Sequence, residues 1–265
     1  MKEIPFTKYH GTGNDFVLID NRTLEWKPTP KEVAEICHRR FGVGADGLML
    51  VENTDSPFDF RMVYFNSDGN ESSMCGNGGR CIVHFAQQLG IFSGKSTHFI
   101  AIDGPHNAWI QENSIVLEMC NTVEMRVLEN GDYEGNTGSP HYVQWVKQPL
   151  SLEEIQEKGF GIRHLPQYEQ EGINVNFVAH LGENKLWVGT FERGVEAPTY
   201  SCGTGVTAAA LAFASKNNSI QNQEHFLIQV PGGNLEVQWK RSELIISDLW
   251  LIGPATPVFD GIWKV

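Results

Sequence analysis

Two cysteines stand where a thiol can do chemistry. Cys75 lies in the glycine-rich turn Met74-Cys75-Gly76-Asn77-Gly78-Gly79, and from about Asn77 onward Ile82, Phe85, Ala86 and Leu89 recur at helical spacing until Gly90 supplies a stop. A thiol at a helix start meets unpaired N–H groups and the positive end of the macrodipole, which favour its thiolate. Alone, that suits a nucleophile, a base or a redox centre. The chain repeats the device 127 residues later, where Ser201-Cys202-Gly203-Thr204-Gly205 leads into the apolar run VTAAALAFA.

Two such thiols narrow the chemistry. A redox dithiol is expected to show C-x-x-C, which is absent, and Cys75, Cys81 and His84 lack a fourth ligand for a metal. If Cys75 and Cys202 flank one tetrahedral carbon, one as thiolate removes a proton from one face while the other as thiol delivers a proton to the opposite face. The centre inverts. Abstraction α to a carboxylate builds charge on an anion, and the backbone N–H groups around Gly76-Asn77 and Gly203-Thr204 would hold it. No metal and no pyridoxal Schiff-base lysine is required, so the expected cofactor set is empty. Asn14, Asn66, Asn174, Glu192 and Arg193 fall at turns or strand ends. Glu192 can hold an ammonium group and Arg193 can grip a carboxylate, so the set implies a zwitterionic small molecule. Glycine bends of purely structural purpose are the competing reading of both cysteine motifs.

The elements that must carry these residues can be read in order. FTKYHGTGNDFVLID reads as two strands about a Gly11-Thr12-Gly13-Asn14 turn. Residues 29–40 read as a helix, with Thr29 as N-cap, Pro30 in the first turn, Glu32 completing a capping box and Phe41-Gly42 ending it. GVGADG has the spacing of a dinucleotide loop, but a helix precedes it and the strand Leu48-Met49-Leu50-Val51 follows, the reverse of what that loop needs. Residues 58–70 read as a strand with Asn66 at its end, and HFIAIDG with HNAWIQENSIVLEM as strand, turn and hairpin. In the second half, residues 137–146 read as a turn and strand. Ser151 with Glu154 opens a helix expected to end near Gly159, and EGINVNFVAH and NKLWVGTFERG follow as strands.

An offset of 127 places Gly47 on Asn174, Cys75 on Cys202 and His98-Phe99 on His225-Phe226. An internal duplication accounts for this. The expected fold class is α+β, with two pseudo-twofold-related lobes. Each is a mostly antiparallel sheet or barrel around a central helix, and the active site lies in the cleft between them. The expected boundaries are residues 1–130 for the lobe carrying Cys75 and 131–265 for the lobe carrying Cys202, with the extreme C-terminus free to pack back on the first.

Composition sets limits on partners. A net charge of −12 disfavours nucleic acid and anionic membrane, both of which need a basic face. The segment MKEIPFTKYHG carries no apolar h-region and no window approaches about 18 uninterrupted apolar residues, so the expectation is a cytoplasmic protein. Five cysteines in such a chain argue for thiols over a disulfide framework, with Cys37, Cys81 and Cys120 as packing residues. The oligomeric state is open, and a homodimer is one option.

Taken in order, HGTGNDF, FNSDGN with MCGNGGRC, EGINVNFV, FERG, SCGTG and PGGNLEV resemble the diaminopimelate epimerase family over essentially the whole chain. The resemblance implies a pyridoxal-independent enzyme of lysine and peptidoglycan precursor synthesis that interconverts LL- and meso-2,6-diaminopimelate. By motif it makes Cys75 and Cys202 the acid–base pair and Asn14, Asn66, Asn174 and Arg193 substrate contacts. It sets Glu192 at the reacting amino group and Gly76-Asn77 with Gly203-Thr204 at the α-carboxylate, with His141 and Ser139 in support. The chain departs from the family at Ser139, where asparagine is frequent, at Gly47, where glutamine is frequent, and at Pro198, near an acidic position. Proline or hydroxyproline racemases, which carry histidine where this chain has Asn77, a non-catalytic amino-acid-binding protein and a thiol redox protein are the alternatives.

Overall fold

Runs such as FVLI and LMLV lack the alternation of a half-wet strand, and the fold gives the reason: both faces of these strands are covered. The computed structural model describes residues 2–119, 125–217, 223–242 and 245–265. The chain divides into two compact units, one reaching Leu117 and including Gly253–Val265, the other Glu118–Ile252.

In the first unit β1 (Glu3–Gly11) and β2 (Asn14–Asp20) form a hairpin. Its two turn residues, Thr12 and Gly13, sit at φ +50° and +88°, the left-handed pair of a tight primed turn. Helix α1 (Pro30–Cys37) is capped by Thr29 and Glu32 as expected. It ends before residue 40, however, because the following loop folds back. The Val43 and Gly44 N–H groups donate to the Ile36 carbonyl and Ala45 N–H to that of Cys37. Gly42 permits this approach, since a Cβ there would lie 2.1 Å from the Glu35 carbonyl oxygen.

Strand β3 (Gly47–Glu52) runs parallel to β2, and β4 (Phe60–Asn66) antiparallel to β3, with the short β5 (Glu71–Ser72) on its edge. Helix α2 (Gly76–Gln88) follows, and Gly90 leaves it at φ +68°. Then β6 (Ser96–Ala101) pairs parallel with β4, and β7 (Gly104–Gln111) and β8 (Ser114–Glu118) continue as a meander. Val33 and Ile36 of α1 pack on Val17, Ile19, Leu48, Leu50 and Val63. Helix α2 packs against β1, β2 and β3.

The second unit runs through the same elements. Strands β9 (Arg126–Val127), β10 (Tyr133–Asn136) and β11 (Pro140–Val146) are antiparallel neighbours. Helix α3 (Leu152–Arg163) carries the Ser151–Glu154 capping box. It continues past Gly159, where a helix end was expected from sequence. That glycine is a packing residue, for a Cβ there would lie 2.3 Å from the Phe191 Cβ. Strand β12 (Asn174–Gly182) is parallel to β11, and β13 (Lys185–Glu192) antiparallel to β12. The short β14 (Ala197–Thr199) lies on the edge of β13. Helix α4 (Gly203–Lys216), β15 (Gln223–Val230), parallel to β13, and β16 (Gly233–Ser242) and β17 (Ile245–Gly253) complete it.

Helix α4 is apolar all round, with Val206 and Ala208 to Ala210 at 0% exposure, as a helix wrapped by strands must be. Ile155 of α3 packs on Val175, Phe177 and Phe191. Strand β18 (Thr256–Lys264) closes the chain by pairing antiparallel with β1, where Thr7 donates to Asp260 at 2.7 Å. The architecture is α+β and mostly antiparallel. Among the described residues no helix is long and apolar enough to cross a membrane.

Because the Ser151 hydroxyl accepts the Glu154 N–H at 3.2 Å and the Glu154 carboxylate accepts the Ser151 N–H at 2.8 Å, Ser151→Ala is expected to cost about 1 kcal/mol. Urea denaturation followed by far-UV circular dichroism measures it.

Candidate active site

Each cysteine is the N-cap of a buried helix: Cys75 of α2 and Cys202 of α4. The Cys75 sulfur accepts the Gly78 N–H at 3.2 Å, and the Cys202 sulfur lies 3.5 Å from the Thr204 hydroxyl. Glycines keep the space near both tight. A Cβ at Gly78 would lie 2.0 Å from the Met49 methyl, and one at Gly205 2.3 Å from Asn176 Oδ1. Burial pushes the Cys37 and Cys81 thiols up to about 12, fitting their expected packing role. Cys120 lies outside the described residues.

Around Cys75 the fold gathers Asn14, Gly76 and Asn77. Asn14 donates to Asp46 at 2.6 Å and accepts from Asn77 Nδ2 at 3.1 Å. Asn77 Oδ1 in turn accepts from Arg80 at 3.0 Å. The Asp46 carboxylate can only accept, so it fixes the Asn14 amide, which then fixes that of Asn77. Asp46 is shared with a charged cluster. Burial raises the Asp15 pKa, but hydrogen bonds from Arg39 and Lys8 outweigh it and bring it to about 2, whereas burial and the Asp15 charge raise Asp46. Asn66 is exposed at the end of β4, with its backbone opposite Gly47.

In the second unit Asn174 starts β12. It donates to the Ser139 hydroxyl at 2.9 Å and accepts the Arg193 N–H at 3.0 Å. Glu192 ends β13, and the Arg193 guanidinium donates to the Glu171 carbonyl at 2.8 Å. The Thr204 carbonyl accepts from the buried Thr137 hydroxyl at 2.7 Å, tying α4 to the turn that carries Ser139. His141 has 0% exposure. Asn176 donates to both the Tyr142 carbonyl and His141 Nδ1, each at 3.0 Å, and accepts from Thr190 at 3.0 Å. The carbonyl can only accept, which sets the Asn176 amide, makes His141 Nδ1 an acceptor and leaves the proton on Nε2. That N–H has no acceptor among the described residues.

Burial first, and the Arg193 charge second, lower the His141 pKa to about 3. Folding therefore favours the neutral ring. Its stabilising contribution is complete above the unfolded value of about 6.5 and is lost as pH falls toward about 3, at up to ~1.4 kcal/mol per unit. Replacing His141 by Gln is expected to flatten that acid limb in a series of denaturation curves.

Two departures from the family pattern have local explanations. Gly47 leaves no room for a side chain, since a Cβ would lie 2.5 Å from the Tyr64 ring. Ser139 is short enough to take the Asn174 amide directly. Pro198 lies on β14 opposite Phe191. Sequence reading missed Asp46, Arg80 and Asn176. Arg80 stands out as the one Lys, Arg, Asp or Glu within Gly76–Gln88, and Asn176 as a second amide in the apolar strand NVNFV, two residues from Asn174.

The profile of the family described as "Diaminopimelate epimerase" matches residues 6–126 and 134–255. A protein of Flavobacterium psychrophilum named diaminopimelate epimerase is 48% identical over 255 residues, covering 96% of this chain and 97% of that one. Among solved structures, a Bacillus anthracis phenazine biosynthesis protein of the PhzF family superposes with a TM-score of 0.76 at 16% identity, covering 100% of both chains. A hydroxyproline epimerase from Agrobacterium vitis, solved with trans-4-hydroxy-L-proline, gives 0.74 at 14% identity over 99% of this chain and 91% of that one. The two structures share the fold. The sequence match, nearly end to end, shows that the chain belongs to the diaminopimelate epimerase family.

Proposed function

We propose that this protein converts LL-2,6-diaminopimelate to the meso isomer by a two-base, cofactor-independent proton transfer at one α-carbon. The observation that carries the proposal is the matched pair of cysteines at the N-cap positions of α2 and α4, in a chain of this family. One thiolate takes the α-proton and the opposite thiol supplies the new one, which leaves the pair with protonation exchanged. The dianion that forms is met by the backbone N–H groups of Gly76-Asn77 and Gly203-Thr204, at the positive ends of two helices.

Glu192 holds the ammonium group of the reacting centre, and Arg193 with Asn14, Asn66 and Asn174 holds the remaining carboxylate and amine. The Ser139 hydroxyl, which accepts from Asn174, and the His141 ring, held by Asn176, support the site. Reduced protein, dialysed against a chelator and freed of pyridoxal phosphate, is expected to form meso-diaminopimelate from the LL isomer by chiral chromatography. Turnover of proline or hydroxyproline with none of diaminopimelate would overturn the proposal.

A further inference from the structure

Arg80 is a guanidinium with 0% exposure inside α2. Its hydrogen-bond acceptors are the Gly76 carbonyl at 3.0 Å, Asn77 Oδ1 at 3.0 Å, the Thr12 hydroxyl at 3.3 Å and the Pro254 carbonyl at 3.3 Å. Every one of them is neutral. Thr12 accepts this contact from a left-handed φ of +50°, a conformation that a β-branched residue holds only where its surroundings impose it.

A buried cation without an anion is costly, and here no carboxylate pairs with it among the described residues. Burial lowers its pKa to about 10, so it stays charged at neutral pH, and the groups whose negative charge opposes that drop are Cys81 and Cys75. Cys81 cannot serve as the anion, because burial holds its thiol up at about 12. Cys75 remains. It is half-buried at the helix N-terminus with the Gly78 N–H already donated to its sulfur.

The second unit provides an internal comparison. At the 127-residue offset Arg80 corresponds to Thr207, and both make the same contact one turn back: Arg80 donates to the Gly76 carbonyl at 3.0 Å, Thr207 to the Gly203 carbonyl at 2.9 Å. One helix start therefore has a buried cation behind its thiol and the other a neutral hydroxyl. The two cysteines share the N-cap position, and the residue one turn into each helix differs in charge.

We propose that Arg80 is a positioning residue that makes Cys75 the resting thiolate and leaves Cys202 the resting thiol, so the pair starts each cycle from one defined protonation state. This rests on the two-base reading above. In the first turnover the Cys75 thiolate becomes a thiol by taking the α-proton, and the Cys202 thiol becomes a thiolate by delivering one. Proton exchange with solvent then restores the start. The same guanidinium orients Asn77 and, through it, Asn14.

Among the described residues, the other ionisable groups facing α2 do not supply a rival cation. Tyr9 on β1 meets His84 at 3.0 Å, and burial lowers the His84 pKa, keeping it neutral. On the β2 side Asp46 is reached only through Asn14, with Asp15, Lys8 and Arg39 paired beyond it. From β3 the neighbour is the neutral Met49. Asp103, which accepts the Met74 N–H at 3.4 Å, adds a negative charge paired with His106.

The test is pulse alkylation of substrate-free, reduced protein with iodoacetamide, across about pH 5 to about pH 10, with peptide mass spectrometry giving a separate profile for each cysteine. The midpoint comes from each cysteine's own profile, so differences in accessibility cancel. Cys75 is expected to titrate at least about one pH unit below Cys202. Arg80→Met is expected to raise the Cys75 midpoint by about 1–3 units and leave that of Cys202 in place, while Arg80→Lys keeps most of the depression. Equal midpoints in the wild type, a lower midpoint for Cys202, or a Cys75 midpoint unmoved by Arg80→Met would overturn the proposal. The wild-type comparison decides the matter even where Arg80→Met does not fold. Unequal midpoints in a protein that does not turn over diaminopimelate would defeat the two-base function and leave the Arg80–Cys75 pairing standing. Equal midpoints in an active enzyme would defeat only the pairing.

Discussion

Cys202→Ala and Cys75→Ala are each expected to lower kcat/KM for diaminopimelate about 10³-fold or more, the scale of a positioned general acid or base and equivalent to ~4 kcal/mol of transition-state stabilisation. Stability should hardly move. Cys202 makes no side-chain cap hydrogen bond, and Cys75→Ala gives up the cap contact from Gly78 N–H, so each variant is expected to stay within about 1 kcal/mol of wild type. Serine separates the two roles. Cys75→Ser keeps an acceptor for the Gly78 N–H and restores the cap, yet its hydroxyl does not ionise in the working range, so activity should stay lost. Steady-state kinetics beside thermal denaturation checks both halves. Full activity in either alanine variant would mean that the glycine turns are structural bends, and loss of fold in both would make the cysteines packing residues.

Gly205→Ala is expected to destabilise the protein by ~2–3 kcal/mol and to reduce activity sharply. The new methyl would lie 2.3 Å from Asn176 Oδ1 and 3.3 Å from the Cys202 sulfur. Asn176 cannot move aside at low cost, because it is fully buried and its amide joins His141, the Tyr142 carbonyl and Thr190. Overpacking costs about 1–3 kcal/mol, and each buried polar group left unpaired costs about 1–3 more. The start of α4 is the softer side and should shift, carrying Cys202 and the N–H groups of Gly203 and Thr204 with it. Urea denaturation and kcat measure the two effects. A variant as stable and active as wild type would show that the glycine is not a close-packing requirement.

The two helix starts were legible in the sequence because they are local. A glycine turn, a thiol and an apolar 3.6 period lie within about twenty residues of chain, and the capping boxes at Thr29 and Ser151 span four each. What sequence could not show depends on partners far along the chain. The end of α1 is set by N–H groups of residues 43–45 folding back on Ile36 and Cys37, and Gly159 looks like a helix stop until Phe191 is seen against it.

The same holds at the site. Asn14, Asn77, Asn174 and both cysteines could be named from motifs, but the residues that orient them could not. Asp46 reaches Asn14 across 32 positions, and Arg80 reaches Thr12 across 68 and Pro254 across 174. Register makes similar demands, since β1 pairs with β18 from the opposite end of the chain.

The most direct measurement of the central claim is the early distribution of deuterium when LL-diaminopimelate is turned over in deuterium oxide. With two bases, the group that takes the proton is not the one that returns it. Meso product formed in the first few per cent of reaction should therefore carry one α-deuterium, while the remaining LL substrate stays unlabelled. Deuterium appearing in recovered substrate as fast as in product would indicate a single base and contradict the account.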